Sequence, residues 1–211
     1  LALWKGGLGG RDRVVLSRAD VIFDKDALHL RSEDPQSLEA WTYPPLDGVA
    51  DRDGIFGKVP VGKVTPKFYQ TEIGQVRDAG EPRKISLGRN KVAVAPGDAD
   101  FAAAAVWKVK LPVDFDPAAA DALLRIRYQG DVARVKIGGQ LVMDDFYNGR
   151  PLEVGLSRHA EALRKERELT IEILPIPADA PVFLPAKPEE GTLLSLDAVA
   201  LIPRYQVSAS E

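Results

Sequence analysis

The sequence predicts an all-β chain folded as a β-sandwich with a few short helical connections. Three observations carry that expectation. Apolar and polar residues alternate with period two through most segments able to supply a core. Eighteen glycines and sixteen prolines are spread along the 211 residues, so turns recur between short strands. Strands follow strands without regular intervening helices, which is the pattern of a sandwich and not of a doubly wound α/β fold.

Taken in order, the first part of the chain offers strands at Val14–Leu16, Val21–Phe23, Leu28–Leu30 and Leu38–Tyr43, separated by turns rich in Asp, Lys and Ser. Gly6-Gly7-Leu8-Gly9-Gly10 lacks the Gly-Lys-Ser/Thr ending of a phosphate loop and reads as an entry or a turn. Gly48–Gly54 reads as a loop and sets a soft boundary. It divides the chain into residues 1–55, either the tail of a preceding β domain or part of the same sandwich, and residues 56–211, a sandwich in their own right.

In the second half, Val106–Leu111 is a strand, and Asp116-Pro117 suits the start of one helical turn into an alanine-rich stretch. Leu124-Arg125-Ile126-Arg127-Tyr128 places three large side chains on one face. Val135-Lys136-Ile137 repeats the pattern, and Gly138-Gly139 supplies the positive-φ turn into Leu141-Val142-Met143. Ser157 suits a cap for a helix reaching about Lys165, with Glu161 and Lys165 spaced for an i,i+4 pair. Leu169–Ile173 and Leu196–Ile202 complete the set.

Composition narrows the function classes. The chain is 45% hydrophobic and 28% charged, within the range of ordinary packed domains. A net charge of −3 and the absence of a long Lys/Arg run argue against nucleic acid. Lys108, Lys110, Arg125 and Arg127 alternate with apolar residues and read as solvated strand faces. The absence of cysteine excludes disulfides, thiol catalysis and Cys-ligated zinc. No apolar run approaches the roughly 20 residues of a membrane span. Leu1-Ala2-Leu3-Trp4 has neither the length nor the charged leader of a signal peptide, so the beginning reads as a cut or processed end.

The most specific stretch is Leu123–Pro175. It runs from Leu123-Leu124-Arg125-Ile126-Arg127-Tyr128-Gln129-Gly130-Asp131 through Asp144-Asp145-Phe146-Tyr147-Asn148-Gly149-Arg150-Pro151 to Glu168-Leu169-Thr170-Ile171. It resembles the galactose-binding-like jelly-roll domains attached to bacterial β-galactosidase-type glycoside hydrolases, most of all the C-terminal region of the family 35-like enzymes. The upstream Val106-Trp107-Lys108-Val109 matches the strand that opens such domains. The resemblance covers about two-thirds of the chain. It implies a jelly roll, a carbohydrate-related role, a missing catalytic domain, and a periplasmic or extracellular, secreted parent.

Two sets of residues are candidates for ligand binding. Asp144, Asp145, Phe146, Tyr147, Asn148 and Arg150 combine aromatic faces for sugar C–H patches with groups that hydrogen-bond hydroxyls. The same residues read structurally as a core plug, a tight Asn-Gly turn and a backbone cap. Trp41 and Tyr43, two apart on a strand, share a face and form either an aromatic platform or a packing surface that, with Trp4, covers a neighbouring domain. Catalysis is not expected: neighbouring Asp144 and Asp145 point to opposite strand faces, whereas glycoside hydrolysis needs two carboxyls facing each other.

The two histidines, His29 and His159, are far apart and have no partners at metal spacing. His29, between Leu28 and Leu30, is expected to face solvent. Ser157 and His159 lie close in sequence but lack a nucleophile elbow. Asp47, Asp51 and Asp53 offer some of the oxygens a structural calcium requires, without the loop register that holds one, and no cofactor is expected.

The sequence therefore points to a non-catalytic accessory module of a carbohydrate-active enzyme. It binds a galactose-containing glycan weakly or supports the catalytic domain of the same polypeptide. The alternatives are a purely structural or oligomerisation domain of a glycoside hydrolase and a small hydrolase in its own right.

Overall fold

The computed structural model describes residues 1–118, 121–184 and 191–210. Strands dominate. The chain begins with β1 (Ala2–Leu8), β2 (Arg11–Ser17), β3 (Asp20–Asp24), β4 (Ala27–Ser32), β5 (Ala40–Tyr43), β6 (Arg52–Asp53) and β7 (Phe56–Lys58). It continues with β8 (Glu72–Arg77), β9 (Ala105–Lys110), β10 (Ala122–Gln129), β11 (Val132–Ile137), β12 (Gln140–Phe146) and β13 (Leu152–Gly155). After one short helix, α1 (Ala160–Glu166), come β14 (Glu168–Ile173), β15 (Ile176–Pro177), β16 (Thr192–Leu193), β17 (Ser195–Pro203) and β18 (Tyr205–Ser210). The all-β expectation holds.

The chain forms two compact units, Leu1–Phe68 with Pro203–Glu211, and Tyr69–Ile202. Gly48–Gly54, expected as a loop, lies inside the first unit and contains the short strand β6, and the last strand returns to that unit. Its sheets are ordered β1-β2-β5-β7-β6 and β18-β4-β3. Alternation explains their pairing. Leu28 and Leu30 of β4 and Val207 and Ala209 of β18 face inward and join Leu8, Val15 and Ala40 in one core. Gly9 and Gly10, both at positive φ, make the two-residue turn between β1 and β2, so the glycine-rich run is half strand and half turn. Gly6 within β1 is required by close approach, because a Cβ there would lie 2.4 Å from the Phe23 ring.

In the second unit a five-stranded sheet, β12-β11-β14-β9-β8, shares its core with a three-stranded sheet, β13-β10-β17. Leu124, Ile126 and Tyr128 of β10 are all buried there, as their spacing predicts. Gly138 and Gly139 are both at positive φ and turn β11 into β12, with Ile137 opposite Gln140. The outer faces are laced with charge: Lys108 pairs with Glu168 at 2.5 Å, Lys110 with Glu72 at 3.7 Å and Arg125 with Glu153 at 2.7 Å.

The short connections differ in detail from expectation. Leu156–His159 is a 3₁₀ turn capped by Gly155, and α1 follows from His159, so Ser157 caps neither. Lys165 lies 3.7 Å from its neighbour Glu166. Arg167, left-handed at the end of α1, donates to the carbonyls of Phe115 and Pro112. Asp116 accepts from the Ala118 N–H in a turn, and the alanines beyond lie outside the described residues.

Candidate functional site

In the second unit, β12 splits the two adjacent acids. Asp144 is exposed and faces Arg134 across the β11–β12 ladder, while Asp145 lies opposite buried Ala133 on the inner side. Tyr128 donates its hydroxyl to the Asp145 carboxylate at 2.9 Å. Burial, reinforced by the adjacent Asp145 charge, pushes the Tyr128 phenol well above its ordinary range.

Tyr147 is also committed to structure. Its ring meets Tyr128 edge-on at 5.5 Å, and its N–H donates to the Asp131 carbonyl at 3.0 Å. Asn148 accepts from the Arg150 N–H at 3.0 Å, and Gly149 is at positive φ, which makes the expected tight turn. Asp144, Phe146 and Arg150 present their side chains at the surface.

Sequence reasoning missed what holds this end of the unit. Asp131, nearly buried, pairs with Arg83 at 2.8 Å, and its N–H donates to the Leu174 carbonyl at 2.8 Å. The Gly130-Asp131 pair before an alternating strand marks a turn but gives no hint of a partner 48 residues upstream.

In the first unit, Trp41 and Tyr43 share the outer face of β5, as their spacing predicts, while Ala40 and Thr42 are buried behind them. Trp41 stands opposite Leu16 on one side and Lys58 on the other. Lys58 Nζ lies 5.8 Å from the Trp41 ring centroid, and Tyr43 meets Phe56 edge-on at 6.2 Å. Phe56 was not anticipated. The Asp53-Gly54 turn signal, with Gly54 at positive φ, leads directly into its strand. Arg13 was also missed: it is buried and donates to the carbonyls of Pro44 and Pro45 at 2.6 and 2.7 Å, which fixes the exit from β5. A cleft of about 380 Å³ opens beside Trp41. The two candidate sets thus belong to different units.

Comparison with protein-family models, with curated proteins and with solved structures finds no match.

The remaining polar candidates are occupied or dispersed. His29 is partly exposed on the face of β4 opposite buried Leu28 and Leu30, and its Nδ1 lies 2.7 Å from Ser208 Oγ, with Asp24 3.9 Å from Nε2. Ser157 donates to Asp121 at 3.3 Å. Among the described residues no three His, Asp or Glu side chains are grouped to hold a metal ion, so Asp47, Asp51 and Asp53 do not form a donor set. Asp47 instead lies 3.7 Å from Arg11. No helix among the described residues is long and apolar enough to cross a membrane.

Proposed function

We propose that this chain is a non-catalytic accessory module of a carbohydrate-active enzyme. It binds a saccharide weakly or braces the catalytic domain of the same polypeptide. The observation that carries this reading is the disposition of the carboxylates in the best-marked segment. Asp144 and Asp145 lie on opposite faces of β12, and the inner one is bonded to Tyr128. A glycosidase needs two carboxyls about 5–10 Å apart across the scissile bond, and this pair does not meet that requirement.

The five-stranded sheet over a three-stranded sheet in the second unit supports a galactose-binding-like jelly roll. On this reading the parent is a glycoside hydrolase and the module works in the periplasm or outside the cell. Affinity is expected to be weak, because sugar hydroxyls leave water and must be satisfied again on the protein.

A second reading, a structural or oligomerisation domain, is favoured by Leu1, Leu3 and Ile55, which are 76%, 67% and 62% exposed in the first unit. Large exposed aliphatic side chains suit a covered protein surface better than a sugar platform.

The deciding experiment pairs an assay with a titration. The chain is expected to release no nitrophenol from nitrophenyl β-galactoside, and to be retarded in an affinity gel containing soluble galactan. Turnover that falls in an Asp144→Asn variant overturns the accessory reading. Unretarded migration of the folded chain moves the assignment to the structural domain.

A further inference from the structure

The cleft beside Trp41 has a chemistry of its own. Leu16, Trp41 and Phe56, each half-buried, form its floor on the outer face of β2, β5 and β7. Arg18, Gln36 and Asp53 stand exposed at its rim. The floor is held from behind, since Ala40 and Thr42 on the other side of β5 are fully buried. It is also held from the side, since Tyr43 meets the Phe56 ring edge-on. At about 380 Å³ the space is at the small end of ligand sites.

The polar groups of the cleft stand at its rim. Glu39, which also borders the cleft, lies 3.5 Å from Lys58, so that carboxylate already has a counter-charge. Among the described residues, no other group engages the side chains of Arg18, Gln36 or Asp53. Each of the three is planar and two-pronged: a guanidinium offers parallel donors, a carboxylate two acceptors, and an amide one of each. Adjacent hydroxyls on a sugar ring present the matching pairs. Arg18 supplies one cation and Asp53 one anion, so a ligand with net charge of either sign is attracted by one and repelled by the other and gains no net Coulomb advantage over a neutral one.

We infer that this cleft binds one ring of a neutral hexoside, with the ring's C–H face on the Trp41 indole and its hydroxyl edge on Arg18, Gln36 and Asp53. The inference rests on the saccharide-binding reading above and gives that reading a site in the first unit, in place of the Asp144–Arg150 segment in the second.

The test is calorimetric titration of the whole chain with methyl β-galactopyranoside and methyl β-glucopyranoside. Galacturonate and galactosamine serve as charged comparisons, and circular dichroism confirms the fold of every variant. Saturable binding of a neutral glycoside is expected to weaken about tenfold or more in Trp41→Ala. The exposed-rim variants Arg18→Ala and Asp53→Ala should weaken it as well, and a Phe146→Ala/Arg150→Ala variant should bind as the parent does. Binding that survives Trp41→Ala and the rim variants but is lost in the Phe146/Arg150 variant overturns this site while leaving the saccharide reading in place. Tighter binding of galacturonate or galactosamine overturns the assignment to a neutral ligand. Absence of binding to all four sugars overturns both the site and the saccharide reading.

Discussion

Tyr128 shows how one residue can be read in two stages. Its place in Leu124-Arg125-Ile126-Arg127-Tyr128 marks it as inward-facing, and it is buried. Its hydroxyl then needs a partner, which Asp145 supplies. Burial and that carboxylate hold the phenol protonated in the folded chain far above its ordinary value near 10. In the unfolded chain it ionises near that value. Above it the folded state holds the extra proton, so stability is fully present below about pH 10 and falls as the pH rises further. Replacing Tyr128 with Phe is therefore expected to flatten the alkaline limb of a stability–pH profile measured by urea denaturation. At neutral pH the same variant should lose about 1–3 kcal/mol, because Asp145 loses its donor. An unchanged alkaline limb would refute the assigned cause.

At the scale of elements, the decisive feature is an ion pair joining parts of the chain that sequence leaves unconnected. Between β8 and β9 the described chain has little regular structure apart from a single bridge, Leu87 to Ala93, and the 3₁₀ turn Asp98–Ala103. Arg83, early in that stretch, reaches Asp131 at the β10–β11 turn, and both side chains are nearly buried. Asp131 also accepts the Tyr147 N–H through its carbonyl, so one residue organises three connections. Removing one member of a buried pair strands the other charge, which typically costs about 3–5 kcal/mol. Asp131→Ala should show a loss of that order in chemical denaturation. The double variant Arg83→Met/Asp131→Leu should recover most of it. If the double variant is as unstable as the single, the pair is not what fixes this end of the unit.

At the scale of the molecule, each unit has its own buried core, and the first is completed by the far end of the chain. β18 runs antiparallel to β4 from Tyr205 opposite Ser32 to Ser210 opposite Ala27, and it contributes Val207 and Ala209 to that core. Deleting residues 205–211 should therefore strip hydrogen-exchange protection from β3 and β4, about 180 residues away in sequence, while β10 and β14 keep theirs. Loss confined to the neighbourhood of β17 would contradict the pairing.

Period-two alternation, with the recurring glycine and proline turn signals, determined the all-β class, the inward residues of β4, β10, β11 and β14, the Gly138-Gly139 hairpin and the shared face of Trp41 and Tyr43. These are local consequences of a pleated backbone with one wet and one dry side. Only the tertiary structure decided the rest. β1 and β8 carry weak alternation and are strands through their pairing with β2 and β9, and the partner of the well-alternating β18, β4, lies near the other end of the chain. Arg83 and Asp131, or Arg13 and the carbonyls after β5, find each other through folding rather than spacing. Phe56 became the neighbour of Tyr43 only once β7 paired with β5. Which polar groups remain free for a ligand is equally non-local: Asp145 is hydrogen-bonded to Tyr128 within the second unit, while among the described residues nothing engages the side chains of Arg18, Gln36 and Asp53 in the first. A side chain's availability depends on what its neighbours in space have already claimed, and those neighbours are chosen by the fold.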